Sequence, residues 1–169
     1  DSLADLMVAD GVCRARPTVL GSGGSKGVDL ESFTPRASYP EFVEAPVIGV
    51  VGRLTAYKGM SVALDVFDAI SRRFPLASLV VIGGEDPTAP LSRETWQRLK
   101  RPRISVLGRI PQSEVATVMR SMDLLVFPSS REGLPNAVIE SAASGVPAVG
   151  WDVTGVRDAI APGQKGALV

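Results

Sequence analysis

Two cations, Arg53 and Lys58, stand five positions apart in Gly52-Arg53-Leu54-Thr55-Ala56-Tyr57-Lys58-Gly59, directly after an apolar run at 47–51. A loop of this kind at the entrance to a helix suits a diphosphate. Each cation can supply a charge-assisted hydrogen bond of about 1.5 to 3 kcal/mol, and free amides at the helix start add to the attraction. By residue type alone the stretch fits an ordinary solvated basic loop equally well. A second cluster, Pro128-Ser129-Ser130-Arg131-Glu132-Gly133-Leu134-Pro135-Asn136, follows the apolar run 124–127 and opens into a segment containing Glu140. Pro135 suits a first helical turn, where its missing N–H costs nothing, and the amides of Gly133 and Leu134 remain to receive a phosphate or sugar oxygen. Glu140 is surrounded by Ala137, Val138, Ala142 and Ala143, which predicts a buried carboxylate. A buried acid needs a hydrogen-bonding partner, and vicinal ribose hydroxyls would supply one. A third loop, Gly150-Trp151-Asp152-Val153-Thr154-Gly155-Val156-Arg157-Asp158, offers Thr154 and Gly155 for approach to phosphates, although a plain connecting turn fits it nearly as well.

These loops need a frame that brings them to one place. From residue 46 onward, short β-rich apolar runs alternate with longer segments of helical period, the pattern of strands joined by crossover helices in a parallel sheet. Strands are expected at 47–51, 78–82, 104–107, 124–127 and 146–149, each apolar nearly throughout because helices would cover both faces. A helix is expected at 58–74, where Met60, Ala63, Leu64, Phe67, Ile70 and Phe74 oppose Asp65, Asp68, Arg72 and Arg73. Further helices are expected at 92–100, 112–121 and 136–144, the last closed by Gly145 in a left-handed cap. Before residue 46 the signals are weaker: a helix at 2–9, a short strand at 18–20, a glycine-serine loop at 21–27, and a linker or wrapping segment at 29–46. The expected organisation is therefore an irregular N-terminal approach, 1–45, and one doubly wound, Rossmann-like α/β domain, 46–169. Residues 168–169 fall in a sixth strand, so the chain is expected to be a piece of something longer. In such a sheet ligands bind beyond the carboxyl ends of the strands, which is where all three loops fall.

Composition narrows the chemistry. Eighteen basic and 18 acidic side chains leave no net field to hold nucleic acid or an anionic membrane. The chain has no His and a single Cys, Cys13, which removes zinc sites of the Cys/His type, Ser-His-Asp triads and His-based proton transfer within these residues. One thiol argues against a disulfide scaffold and for a reducing compartment. No stretch approaches the roughly 18 to 20 apolar residues of a membrane span, and the first residues lack the order of a secretory signal. The domain reads as cytoplasmic, with membrane association only through a missing half. A dinucleotide-dependent oxidoreductase would need Gly-x-Gly-x-x-Gly after the first strand, where this chain has Arg and Lys. The loop at 21–27 places Lys26 where that fingerprint needs glycine, and no P-loop occurs.

Together the three loops resemble the C-terminal domain of family 4 retaining glycosyltransferases, which have the two-Rossmann GT-B fold; the resemblance runs from about residue 47 to 169. Its most specific part is Glu132-Gly133-Leu134-Pro135 continuing to Glu140-Ser141-Ala142-Ala143-Ser144-Gly145-Val146-Pro147, similar to the family's two-glutamate motif and following Gly-x-Pro. Arg53 and Lys58 resemble the pair that clamps the donor diphosphate, and Gly27-Val28-Asp29 with Phe33 resembles the segment preceding the domain. The resemblance implies that Arg53 and Lys58 stabilise a departing nucleoside diphosphate, that Glu132 holds hydroxyls of the donor sugar, and that Glu140 holds the ribose. It implies that the backbone at Arg109 and Ile110 receives the base. The donor would be a UDP- or GDP-sugar, no metal or other cofactor is implied because the cations do its work, and the acceptor would sit on a missing N-terminal domain. Transfer would retain the anomeric configuration, in a setting such as polysaccharide assembly, while these 169 residues alone would bind donor without appreciable transfer. Two departures from the family leave the sugar open: one glycine at 153–155 where two are common, and Ser141 in place of Ala. The competing expectation is a non-catalytic nucleotide-sugar-binding or interaction domain of the same fold.

Overall fold

The computed structural model describes residues 2–18, 27–40, 43–160 and 166–169. Six strands form one parallel sheet: β1 (Val47–Val51), β2 (Ser78–Ile82), β3 (Ile104–Gly108), β4 (Leu124–Phe127), β5 (Ala148–Gly150) and β6 (Gly166–Leu168). Their order is β3-β2-β1-β4-β5-β6. The chain builds outward from β1 to β3, returns past β1 to lay down β4, and continues to β6. That reversal leaves a crevice at the carboxyl ends of β1 and β4, the place where doubly wound sheets hold ligands. The α/β Rossmann-like expectation is therefore correct.

The helices are α1 (Ser2–Ala9), α2 (Met60–Arg73), α3 (Arg93–Leu99), α4 (Gln112–Arg120), α5 (Asn136–Ala143) and α6 (Val156–Ala159). In α2 the expected stripe is the buried one: Met60, Ala63, Leu64 and Phe67 pack on Ile48 and Val50 of β1 and Leu79 and Val81 of β2. Ser92 caps α3, its Oγ accepting the amide of Thr95 at 3.1 Å. Arg98 and Arg101 tie that helix end to Asp68 of α2 at 3.0 and 2.7 Å.

Three sequence expectations need correction. The helix expected at 58–74 is broken: Ala56–Lys58 form a separate 3-10 turn, and α2 begins at Met60. Gly59 between them takes φ +72°, and a Cβ there would stand 2.2 Å from the carbonyl oxygen of Pro128, so the break is where two loops meet. The fifth strand runs Ala148–Gly150 and not 146–149, because Val146 finishes the turn out of α5. Its amide donates to Ser141, and the Ser141 hydroxyl donates to its carbonyl at 2.8 Å. Gly145 has the expected left-handed conformation. Finally, coverage on both faces fails at β3, an edge strand whose Val106 and Leu107 are exposed. The short α6 begins within the third loop, which the sequence offered as a phosphate-approaching loop or a plain connecting turn.

Of the strand expected at 18–20, Thr18 is irregular and residues 19–20 lie outside the described residues, as does 21–26 of the glycine-serine loop. The stretch 27–40 is anchored to the sheet domain. Phe33 is buried with Ile82, Met119, Met122 and Val146. Arg36 donates to the carbonyl of Met122 and to Asp123, both at 2.7 Å, and lies over the Tyr39 ring. The Tyr39 hydroxyl donates to the carbonyls of Ser144 and Gly145. Among the described residues no helix is long and apolar enough to cross a membrane.

Candidate functional site

The loops after β1 and β4 are stitched together across the crevice. The amide and hydroxyl of Ser130 both donate to the Tyr57 carbonyl, at 3.0 and 3.2 Å. Gly59 lets the two backbones touch. Above that seam Lys58 Nζ forms an ion pair with Glu132 Oε1. Only 17% and 12% of these side chains are exposed, so the pair is far less screened than a surface one. The Lys58 ammonium also lies 5.5 Å from the centre of the Phe127 ring.

These residues wall a cavity of about 650 Å³, lined by Gly52, Arg53, Lys58, Phe127, Glu132 and Leu134, with Pro135, Asn136 and Ala137 at the start of α5. The structure thus brings together Arg53, Lys58, Glu132, Leu134 and Pro135, from two of the three loops and from segments more than 70 residues apart. Pro135 sits one position earlier than expected, capping α5 rather than opening its first turn. Gly133 is exposed, with no atom within 4 Å of a Cβ built on it, while its carbonyl lies against Gly155.

Arg53 is 57% exposed and pairs with Asp86 at 2.7 Å. Asp86 is held by the Thr88 hydroxyl and amide, at 2.7 and 3.0 Å. Those two hydrogen bonds, with Arg53 adding, keep its carboxyl below the ordinary range. Arg53 is the water-facing member of this pair, and Asp86, with 15% of its side chain exposed, keeps both Thr88 bonds whether or not Arg53 stays. Arg53 can therefore turn from Asp86 to an anionic ligand while Asp86 remains hydrogen-bonded to Thr88.

Glu140 is buried, as its neighbours in sequence predict. Its Oε1 accepts a hydrogen bond from Gln112 Nε2 at 2.7 Å. Burial raises its carboxyl above the usual range, and the Gln112 bond pulls it partly back. Glu140 therefore already has one protein partner where sequence reasoning looked only to a ligand.

The remaining candidates stand outside the cavity lining. Arg109 lies across Gly84 beyond the end of β2, its Nε 2.6 Å from a Cβ placed there, and Ile110 packs into the cluster around Phe33. Thr154 lines a neighbouring depression of about 450 Å³ that shares Glu132 as a wall. Gly155, with φ +82° and ψ −43°, lies against the carbonyls of Glu132 and Gly133. A Cβ on it would be 1.8 Å from the Gly133 oxygen. Its place in the structure is beneath the Glu132-Gly133 turn, seating it.

Sequence reasoning did not single out Tyr57, Asp86, Gln112 or Arg131. Asp86 and Gln112 had a usable signal, since both follow strands at the ligand-binding edge of a doubly wound sheet. Tyr57 sits between the two cations of the first loop, and its ring lies 5.8 Å from the Arg53 guanidinium and 5.9 Å from the Lys58 ammonium.

Residues 32–169 match the family described as Glycosyl transferases group 1. The capsular polysaccharide biosynthesis glycosyltransferase CapM of Staphylococcus aureus is 30% identical over 159 residues, covering 90% of this chain and 41% of CapM. The chain thus spans about two fifths of the length of that relative. Among solved structures, sucrose-phosphate synthase from Thermosynechococcus elongatus superposes with a TM-score of 0.76 at 23% identity, covering 98% of this chain and 42% of that one. The C-terminal domain of the glycosyl transferase group 1 family protein LpcC from Francisella tularensis gives a TM-score of 0.70 at 25% identity, with 85% and 80% covered.

Proposed function

The chain belongs to the group 1 glycosyl transferases, and from that premise we propose that it is the donor-binding, C-terminal domain of a retaining, family 4 type enzyme. The observation that carries this is the Lys58–Glu132 pair in the crevice between β1 and β4. One wall of the cavity offers cations for a diphosphate, and the other offers a carboxylate for sugar hydroxyls.

In this role the bond between the anomeric carbon and the diphosphate oxygen breaks, and negative charge grows on the leaving group. Lys58 and Arg53 neutralise that charge from fixed positions, which is the electrostatic contribution a metal makes elsewhere, so no metal has a part. Glu132 accepts hydrogen bonds from the sugar hydroxyls and orients the ring. Glu140, steadied by Gln112, accepts from the ribose hydroxyls, and the open amides of Gly133 and Leu134 face phosphate or sugar oxygens. The backbone at Arg109 and Ile110 is assigned to the base, and Thr154 with Gly155 to the edge of the phosphate site. The acceptor sits on an N-terminal domain missing from these residues, so the 169-residue chain binds donor without transferring it. The whole enzyme works in the cytoplasm, with any membrane contact made by that other half, and needs no nucleic acid.

Calorimetric titration with UDP and GDP, on the wild type, Lys58→Ala and Glu140→Ala, tests the site. Binding of one nucleotide, weakened at least tenfold in each variant, is the expected result; a tenfold loss corresponds to about 1.4 kcal/mol. Equal or absent binding in all three proteins would instead point to an interaction domain of the same fold. For the full-length enzyme, the anomeric configuration of the product, read by NMR, checks retention.

A further inference from the structure

Three cations surround the ring of Tyr57, two of them, Arg53 and Lys58, lining the cavity and the third, Arg131, lining the depression beside it. The Arg53 guanidinium, the Lys58 ammonium and the Arg131 guanidinium lie 5.8, 5.9 and 5.6 Å from the centre of Tyr57. No two heads can be more than about 12 Å apart, and the ring face attracts each of them. Crowding three like charges is unfavourable unless anions offset it. Asp86 offsets Arg53 and Glu132 offsets Lys58. Arg131 has no carboxylate partner among the described residues, so one positive charge is left over at this point.

Arg131 is also held in place. Its carbonyl accepts from the buried Ser129 hydroxyl at 3.3 Å, and its neighbour Ser130 is bonded twice to the Tyr57 carbonyl. Its side chain lines the depression that shares Glu132 with the main cavity. It therefore shares a wall with Glu132, the carboxylate assigned above to the sugar hydroxyls.

Resting on the donor-site assignment above, we infer that Arg131 is a third cation of the diphosphate site, directed at the sugar-proximal phosphate, and that Tyr57 is the residue that positions it. The ligand chemistry is a nucleoside diphosphate, and the half recognised is the terminal phosphate that a nucleoside monophosphate lacks. Arg53 and Lys58 are shared with that recognition, and Arg131 is specific to it.

The test compares UDP with UMP, or GDP with GMP if guanosine proves to be the base, by calorimetry on the same chain. Arg131→Gln should weaken the diphosphate about fivefold to tenfold, as expected for one charge-assisted bond at a partly exposed site, while the monophosphate changes by less than twofold. Tyr57→Leu should lose at least as much, Tyr57→Phe should restore it by returning the ring, and Arg131→Gln added to Tyr57→Leu should cost less than a further twofold. An unchanged diphosphate affinity in Arg131→Gln, with Lys58→Ala still impaired, overturns the inference and leaves the donor site standing. Equal losses for the two nucleotides also overturn it, since they would report only the general field. If the wild type binds neither nucleotide, the donor-site assignment itself falls.

Discussion

Replacing Gly155 by Ala probes how the second glutamate-bearing loop is seated. Gly155 sits at φ +82°, ψ −43°, where an L side chain is strained, and its added Cβ would stand 1.8 Å from the Gly133 oxygen and 2.6 Å from the Glu132 oxygen. The backbone strain is worth about 1 to 2 kcal/mol. The contact can be relieved only if the turn retreats by about 1 Å or more, an overpacking term of about 1 to 3 kcal/mol. A domain of this size loses roughly 2–4 °C of Tm per kcal/mol, so Gly155→Ala should melt about 5–15 °C lower. The matched control is Gly133→Ala in the same turn, where a Cβ meets nothing within 4 Å. It should shift stability by no more than about 0.5 kcal/mol. Scanning calorimetry measures both, and UDP or GDP titration adds the functional side. With Glu132 drawn away from Lys58, Gly155→Ala should also lose nucleotide affinity. Equal melting temperatures for the two variants would refute the claim that Gly155 carries the turn.

The buried Glu140 gives a trade of function against stability. Its carboxyl is raised by burial, so its contribution to stability is full below the ordinary carboxylate range and is lost as pH rises through the raised value. Glu140→Gln should therefore melt a few degrees higher than wild type at pH 8, with the gain shrinking at pH 4, and should bind nucleotide more weakly; thermal scans across pH read this. Asp68 has the opposite sign. Its carboxyl is lowered by the hydrogen bond from Arg101 and then by that from Arg98, so it stabilises at neutral pH and the benefit is lost as pH falls through the lowered value. With Asp68 about a third exposed, Asp68→Asn should cost only about 0.5 to 1 kcal/mol at pH 7 in urea unfolding, and less in acid. Phe33→Ala removes a ring that is 1% exposed and should cost about 3 to 5 kcal/mol by the same urea assay.

The fold was legible because buried parallel strands write themselves as unbroken apolar runs, and amphipathic helices such as α2 as spaced ones. What these signals omit is everything that depends on which strands are neighbours. Lys58 and Glu132 are 74 residues apart, and only the return of the chain past β1 to lay down β4 makes them partners. Gln112 reaches Glu140 for a similar reason, from the start of the helix that precedes β4. Side-chain period runs through Gly59 undisturbed because the event that breaks the helix, contact with the Pro128 carbonyl, comes from another loop. The β5 boundary slipped because Val146 and Pro147 look like strand residues, while the hydroxyl of Ser141 holds Val146 in a turn. The break at Gly59 and the pairing of Lys58 with Glu132 rest on contacts distant in sequence, the β5 boundary on a side-chain bond five residues away that hydrophobic pattern does not register, and each correct element on a local pattern.

In the ligand-free arrangement Lys58 and Glu132 satisfy one another, and this bears on how the proposed donor would be told from its product. A nucleoside diphosphate that takes Lys58 leaves the Glu132 carboxylate, only 12% exposed, without its counter-ion. An intact sugar nucleotide brings both replacements at once: phosphate oxygens for Lys58 and hydroxyl donors for Glu132. Exchange of one ion pair for two matched contacts is close to balanced for the donor and unfavourable for the bare diphosphate, because an unpaired, largely buried charge is the expensive state. Arg53 adds less to this discrimination, since it is itself 57% exposed and the Asp86 it would leave keeps the hydroxyl and amide of Thr88. Under the proposed donor assignment the partly buried pair would thus act against retention of the spent nucleotide: once the sugar had left, Glu132 would regain Lys58, and the cation that held the diphosphate would be drawn back to the protein.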